Sequence, residues 1–200
     1  SLNPAAYCNP AATKNIKVVA KPILGSITGA IFACPGINYT YQITSNTTGS
    51  PFVWSVISGT GTIMSQIGDD NETVIVQFSG TGPWTLQVYQ EIELSPGNFC
   101  QSLPKTLVVN PFPQPVISGN SPVCVDAVET YSVSGPIPPG GFQWSISPSQ
   151  SGTILTPQGG TSVNIKWHGP ATTAIITVTS CSGFATYPVV INIPPVASIS

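Results

Sequence analysis

The sequence predicts an all-β fold made of tandem seven-stranded β-sandwiches, and three observations carry that prediction. Short apolar alternations recur between Gly- and Pro-rich turns, and no segment sustains a helical period. Cys34 precedes Trp54 by 20 positions, and Cys124 precedes Trp144 by the same distance. An offset of 90 positions also superposes Gly29 on Gly119, Tyr41 on Tyr131, Phe52 on Phe142 and Ser55 on Ser145. A period of this length exceeds that of solenoid repeats and suits a small independent domain.

Seven strands are expected in the first full repeat, near 23–28, 37–44, 51–58, 61–66, 73–79, 84–93 and 103–110. The first leads into Gly29, and the second ends around Tyr41. Phe52-Val53-Trp54-Ser55-Val56 marks the third strand, and a short fourth follows the Gly59 turn. The fifth, Thr73 to Phe78, lies over Ser162 to Trp167 after a one-residue slip. In the sixth, Trp84, Leu86, Val88 and Ile92 share one face, while Thr85, Gln87, Glu91 and Glu93 share the other, a core face against a solvent face. Thr106-Leu107-Val108-Val109 forms the last. The second repeat follows near 114–118, 128–134, 141–147, 152–156, 162–168, 173–180 and 185–193, and seven short strands with turns every 8–12 residues read as a sandwich. The first repeat has nine extra residues between its Trp and closing Cys, mostly in Glu91 to Phe99, which lengthens the last hairpin.

The domain organisation follows: 1–21 as the end of a preceding repeat, 22–111 and 112–194 as full repeats, and 195–200 as the start of another. Cys8 then occupies the closing position of an earlier repeat, and the five cysteines divide as one, two and two. Pairing Cys34 with Cys100 and Cys124 with Cys181 would close loops of about 66 and 57 residues, each stabilising by roughly 4 kcal/mol in the chain-entropy model. Such bonds require an oxidising compartment; the alternative is buried free thiols in a cytosolic protein.

Composition excludes several functions. Charged residues are 6% of the chain against about 25% in ordinary domains, and there is no arginine. With five Lys and a net charge of −2 there is no basic stripe for phosphates, so no nucleic-acid partner is expected. No apolar run is long enough to span a bilayer. With 41% hydrophobic residues the chain can fold despite 19 Gly and 21 Pro.

Cys34-Pro35-Gly36 followed by Tyr39-Thr40-Tyr41, Phe-x-Trp-Ser on both third strands, and a Cys before each last strand resemble the PKD-like, immunoglobulin-like modules of Bacteroidetes secreted surface proteins. Those modules occur in tandem in large adhesins, including gliding-motility adhesins exported by the type IX pathway. The resemblance implies an extracellular, cell-surface location and a non-enzymatic stalk whose first partners are neighbouring repeats of the same chain. An immunoglobulin-like sandwich keeps an aromatic on its third strand, so Trp54 and Trp144, with Tyr41 and Tyr131, are expected in the core.

Candidate chemistry is sparse. His168 is the only histidine, and a metal site or Ser-His-Asp triad needs companions. Glu91 and Glu93 project together from one strand, as a glycosidase pair would, but toward solvent. Asp69-Asp70-Asn71-Glu72 is the densest acidic cluster; Asp69, Asp70 and Glu72 read either as a calcium site or as a solvated turn. No other cofactor is expected. Asn38, Asn46 and Asn71 head glycosylation sequons, incidental in a bacterial family. Trp84, Tyr89 and Phe99 are candidates for stacking on a surface glycan, the alternative being that the chain is a glycan- or protein-binding module accessory to a secreted hydrolase. The low surface charge also favours contact with like chains.

Overall fold

The structure, a computed structural model, describes residues 18–170 and 172–193. The extra repeat segments expected at 1–17 and 194–200, with Cys8, lie outside the described residues. Among the described residues no helix is long and apolar enough to cross a membrane. Apart from one 3₁₀ turn at Ser149–Ser151, every regular element among the described residues is a strand.

The first sandwich comprises β1 (Thr28–Gly29), β2 (Phe32–Ala33), β3 (Asn38–Gln42), β4 (Phe52–Ser58), β5 (Thr60–Ile67), β6 (Thr73–Ser79), β7 (Trp84–Ser95), β8 (Asn98–Gln101) and β9 (Lys105–Pro111). Its two sheets have the orders β1-β3-β6-β5 and β2-β9-β7-β4, with β8 added to the far end of β7. The second comprises β10 (Ile117–Ser118), β11 (Val123–Cys124), β12 (Val128–Val133), β13 (Gln143–Ser147), β14 (Gly152–Ile154), β15 (Ser162–Trp167), β16 (Thr172–Ser180) and β17 (Gly183–Asn192). Its sheets, β10-β12-β15-β14 and β11-β17-β16-β13, repeat the same topology. Strands one, two, five and four oppose strands three, six and seven, the arrangement of an immunoglobulin-like sandwich.

In place of the first strand expected near 23–28 and near 114–118, each module has two short pieces that begin at the end of that range and extend beyond it. Two residues pair antiparallel with one sheet, as in β1 with β3, and the next pair crosses to run parallel to the last strand of the other sheet, as in β2 with β9. The same crossover joins β10 to β12 and β11 to β17. Two-residue strands leave no alternation to read, so β2 and β11 were invisible in the sequence, as was β8.

Each module has its own core. In β6 and β7 alternate residues are buried, so Val74, Val76 and Phe78 face Trp84, Leu86 and Val88 across the sandwich. Trp54 and Trp144 are buried in the two cores. Their indole N–H groups find equivalent partners, Trp54 Nε1 donating to the Asn71 carbonyl at 2.9 Å and Trp144 Nε1 to the Gly160 carbonyl at 3.1 Å. Each bond spares a buried indole the cost of an unpaired N–H, about 1–3 kcal/mol.

The paired glycines and tyrosines of the two repeats form one packing unit. Gly29 pairs with Tyr41 in the β1–β3 ladder, and a Cβ there would overlap the Tyr41 ring; a Cβ on Gly119 would overlap the Tyr131 ring in the same way. Both rings are fully buried. The hydroxyls differ: that of Tyr131 donates to the Asn120 carbonyl at 2.8 Å, whereas that of Tyr41 has no partner among the described residues.

Burial pushes both phenols upward, Tyr131 to about 12 and Tyr41 further. The folded state therefore holds these protons more tightly than the unfolded chain, where a phenol titrates near 10. Their contribution to stability is intact below pH about 10 and is lost as pH rises through the folded values. Tyr131→Phe is expected to cost about 1 kcal/mol at neutral pH through its lost hydrogen bond, and Tyr41→Phe to be neutral or stabilising. Each substitution should also reduce the loss of stability between pH about 8 and about 11, read from urea midpoints at the two values.

Candidate functional site

The cysteines occupy opposite ends of each module. Because β2 runs parallel to β9, with Ala33 against Pro111, Cys34 emerges opposite Phe112, where the chain leaves the first sandwich. Cys100 pairs with Ile92 near the other end of β7, whose beginning, Trp84, pairs with Val109. Along a strand of that length the two cysteines are more than about 25 Å apart, and a disulfide requires Cα atoms within about 7 Å. Cys124 and Cys181 are divided in the same way: Cys124 pairs with Asn192 at the end of β17, and Cys181 sits in the turn before Gly183 at its start. The pairings Cys34–Cys100 and Cys124–Cys181 expected from chain order are therefore incorrect.

Instead, Cys34 is bonded to Cys181, with Cα atoms 5.6 Å apart and a sequence separation of 147. The β16–β17 turn of the second module reaches the exit of the first, and the bond joins the two modules. Around it the junction is tied further. The Ser182 hydroxyl donates to the Pro113 carbonyl at 2.9 Å, and the Phe32 and Phe112 rings lie 5.7 Å apart. Ala33, Pro35, Phe112, Gln114 and Ser182 are among the residues lining a cleft of about 320 Å³ beside the bond. Cys34 is completely buried. Among the described residues Cys100 and Cys124 are unpaired, the first half-buried and the second exposed.

The proposed stacking residues do not form one surface. Trp84 is not available to a ligand: it is fully buried and stacks on Phe78 with centroids 5.0 Å apart, its Nε1 donating to the Ser79 carbonyl at 2.8 Å. As the first core position of β7, opposite Val109, it is held inward by the strand alternation. Phe99 is 51% exposed on β8, and Tyr89 is half-buried on the outer face of β7. Between them, Glu91 accepts a hydrogen bond from Gln101 Nε2 at 2.6 Å, and Glu93 accepts one from the Gly97 amide at 3.4 Å. These carboxylates brace the hairpin.

The acidic turn has a structural role of the same kind. Asp70 accepts from the Gly49 amide at 2.7 Å, and Glu72 accepts from the Asp70 amide at 3.3 Å while folding over Gly68. Among the described residues no three His, Cys, Asp or Glu side chains are grouped to hold a metal ion, so the calcium reading of Asp69, Asp70 and Glu72 is not supported by the geometry. His168 Nε2 lies 2.8 Å from the Thr153 hydroxyl in a turn, and its backbone amide donates to the Ser151 carbonyl.

One buried polar residue has no signal in the strand pattern. Gln90 takes a core position of β7, and its amide is saturated: it accepts from the Ser45 hydroxyl at 2.6 Å and donates to the Ser50 and Thr47 carbonyls at 2.7 and 3.2 Å. It closes the end of the first sandwich nearest Cys100. The junction itself left a trace in the sequence, since Cys34 precedes a Pro-Gly turn and Cys181 lies between two serines before Gly183. Both cysteines border turns, where chains meet neighbours.

Among solved structures, the chain is similar to the I-band fragment I67-I69 of titin, at 8% identity, with 88% of this chain and 66% of that one covered and a TM-score of 0.38. It is also similar to the three-domain ectodomain of mouse nectin-like molecule 4, at 12% identity, with 90% and 66% covered and a TM-score of 0.33. A C-terminal fragment of intimin, solved with the intimin-binding domain of its translocated receptor, matches at 14% identity, with 84% and 63% covered and a TM-score of 0.32. The chain thus spans a little under two thirds of the length of each. No curated protein matches it. Residues 11–103, which contain most of the first sandwich, match the model of the PKD-like domain family.

Proposed function

We propose that the chain is a non-enzymatic spacer segment of a large extracellular adhesin or surface fibre, in which modules spanning 22–111 and 112–194 set the distance between an attachment point and a binding region. The observation that carries this reading is the Cys34–Cys181 bond, because a spacer must resist bending at its joints and this disulfide lies across one. Proline supports the same role: the connection Pro111-Phe112-Pro113-Gln114-Pro115 is a semi-rigid segment. A disulfide at this position fits an oxidising, extracellular setting, and the sequence resemblance to Bacteroidetes gliding adhesins suggests a cell surface. Small-angle scattering of the oxidised chain should give a single elongated pair-distance distribution. A broad distribution, typical of two modules tumbling on a hinge, would overturn the reading.

Phe99 favours a second reading. It is an exposed aromatic on β8, a strand without a counterpart in the second module, and aromatic faces of this kind offer a stacking surface. Binding on a glycan array that disappears in Phe99→Ala would support a binding module, and an array without signal would leave the spacer alone.

A further inference from the structure

We propose that Cys100 and Cys124 are the two unfilled halves of the bond seen between Cys34 and Cys181, so that modules of this kind are stitched head to tail by one disulfide at every junction.

Equivalence of position supports this. Val123 pairs with Ile191 and Cys124 with Asn192 in β11–β17, as Phe32 pairs with Asn110 and Ala33 with Pro111 in β2–β9. Cys124 thus occupies at the exit of the second module the place of Cys34 at the exit of the first. At the opposite end, Ala185 pairs with Val178, the residue that also faces Trp144; Lys105 pairs with Val88, which also faces Trp54. Counted back from those matched rungs, Cys181 is four positions before Ala185, and Cys100 is five before Lys105. Both stand at the hairpin end. An exit cysteine without a hairpin cysteine, and the reverse, remain after the observed bond is formed.

The surface around Cys100 adds a second, independent observation. Ile23 and Leu103 are 69% and 71% exposed and meet in a cleft of about 180 Å³ with Pro22, Leu24 and Lys105. Leu103 is two residues before Lys105, as Gly183 is two before Ala185, and Ser182, next to Gly183, lines the junction cleft with Ala33 and Pro35 of the first module. Among the described residues, the hairpin end of the first module therefore carries exposed apolar surface at the end where the second module faces its neighbour.

The partner of Cys124 is the hairpin cysteine of another such module, which a second copy of this chain supplies as its Cys100. The two thiols lose two electrons and two protons to a disulfide oxidant; a new S–S bond forms, and the oxidant's own S–S bond breaks to give two thiols. An exit-to-hairpin contact is heterologous, so each copy joined leaves one exit and one hairpin cysteine for the next.

The test uses the 200-residue chain with Cys8→Ser throughout, concentrated in oxidised glutathione. Non-reducing electrophoresis should show a ladder in multiples of 20.7 kDa, and peptide mapping should join Cys124 of one copy to Cys100 of the next. Cys100→Ser and Cys124→Ser should each abolish the ladder, yet a mixture of the two variants should give dimers and nothing larger. Absence of a ladder, or dimers of either variant alone through Cys124–Cys124 or Cys100–Cys100 bonds, would sink the proposal. The inference extends the spacer reading, but the outcomes separate: an elongated monomer in scattering without the ladder removes only the stitching.

Discussion

Trp84→Ala is expected to destabilise the first module by about 3–5 kcal/mol, the range for truncating a buried aromatic to alanine. This is a large share of the roughly 5–15 kcal/mol that holds a domain folded. The indole is fully buried, stacked on Phe78 and hydrogen-bonded to the Ser79 carbonyl, so the substitution removes contacts on both faces and orphans an acceptor. The cavity cannot collapse easily, because backbone forms part of its wall. At Gly59, where φ is +74°, a Cβ would come within 2.5 Å of Trp84 Cδ1, which shows how closely the β4–β5 turn lies over the ring. Urea unfolding followed by circular dichroism should show the first module melting well before the second, whereas a shift of less than about 1 kcal/mol would mean that the indole is not a core anchor.

The second module shows how this loss can be offset. Ala174 occupies the position of Trp84, opposite Val189 as Trp84 is opposite Val109, and Trp167 occupies that of Phe78, opposite Gly152 as Phe78 is opposite Gly61. One sandwich fills the space with Phe and Trp, the other with Trp and Ala. Adding Phe78→Trp to Trp84→Ala should therefore recover part of the stability, while Phe78→Trp alone should overpack the core. The two substitutions touch the same volume and are expected to be strongly non-additive.

Such exchanges mark what the sequence alone conveys. Trp54, Trp144, Tyr41 and Tyr131 were legible because the repeat conserves them and the strand period places them inward. The two-sheet topology was legible from strand number and spacing. Trp84 was misplaced because its counterpart is alanine, and the compensating Phe78–Trp167 exchange is visible only when both sheets are seen together. Gln90 was missed because alternation marks polarity, and a glutamine saturated by Ser45, Ser50 and Thr47 is polar and buried at once. The cysteine pairing failed for a geometric reason. Chain order places two cysteines in each module, but the two-residue strands β2 and β11 carry the first of them to the end opposite the hairpin.

Cys34→Ser should uncouple the modules without unfolding either, since each sandwich retains its own core. The bond closes a separation of 147 residues, worth about 5 kcal/mol in the chain-entropy model when both modules unfold as one unit. In the oxidised parent, melting of one module should therefore be linked to the other; in Cys34→Ser the two should melt independently, and scattering should show a broader distribution of intermodule distances. Cys181→Ser should behave identically, and the double variant no worse than either single one, because all three lack the same bond. The controls discriminate between pairings. If Cys34 bonded Cys100 within its module, Cys100→Ser would reproduce the Cys34→Ser melt and leave the junction stiff. With the bond crossing the junction, Cys100→Ser leaves the monomer's melt and its distance distribution unchanged, and the stiffness of the joint depends on Cys34 and Cys181.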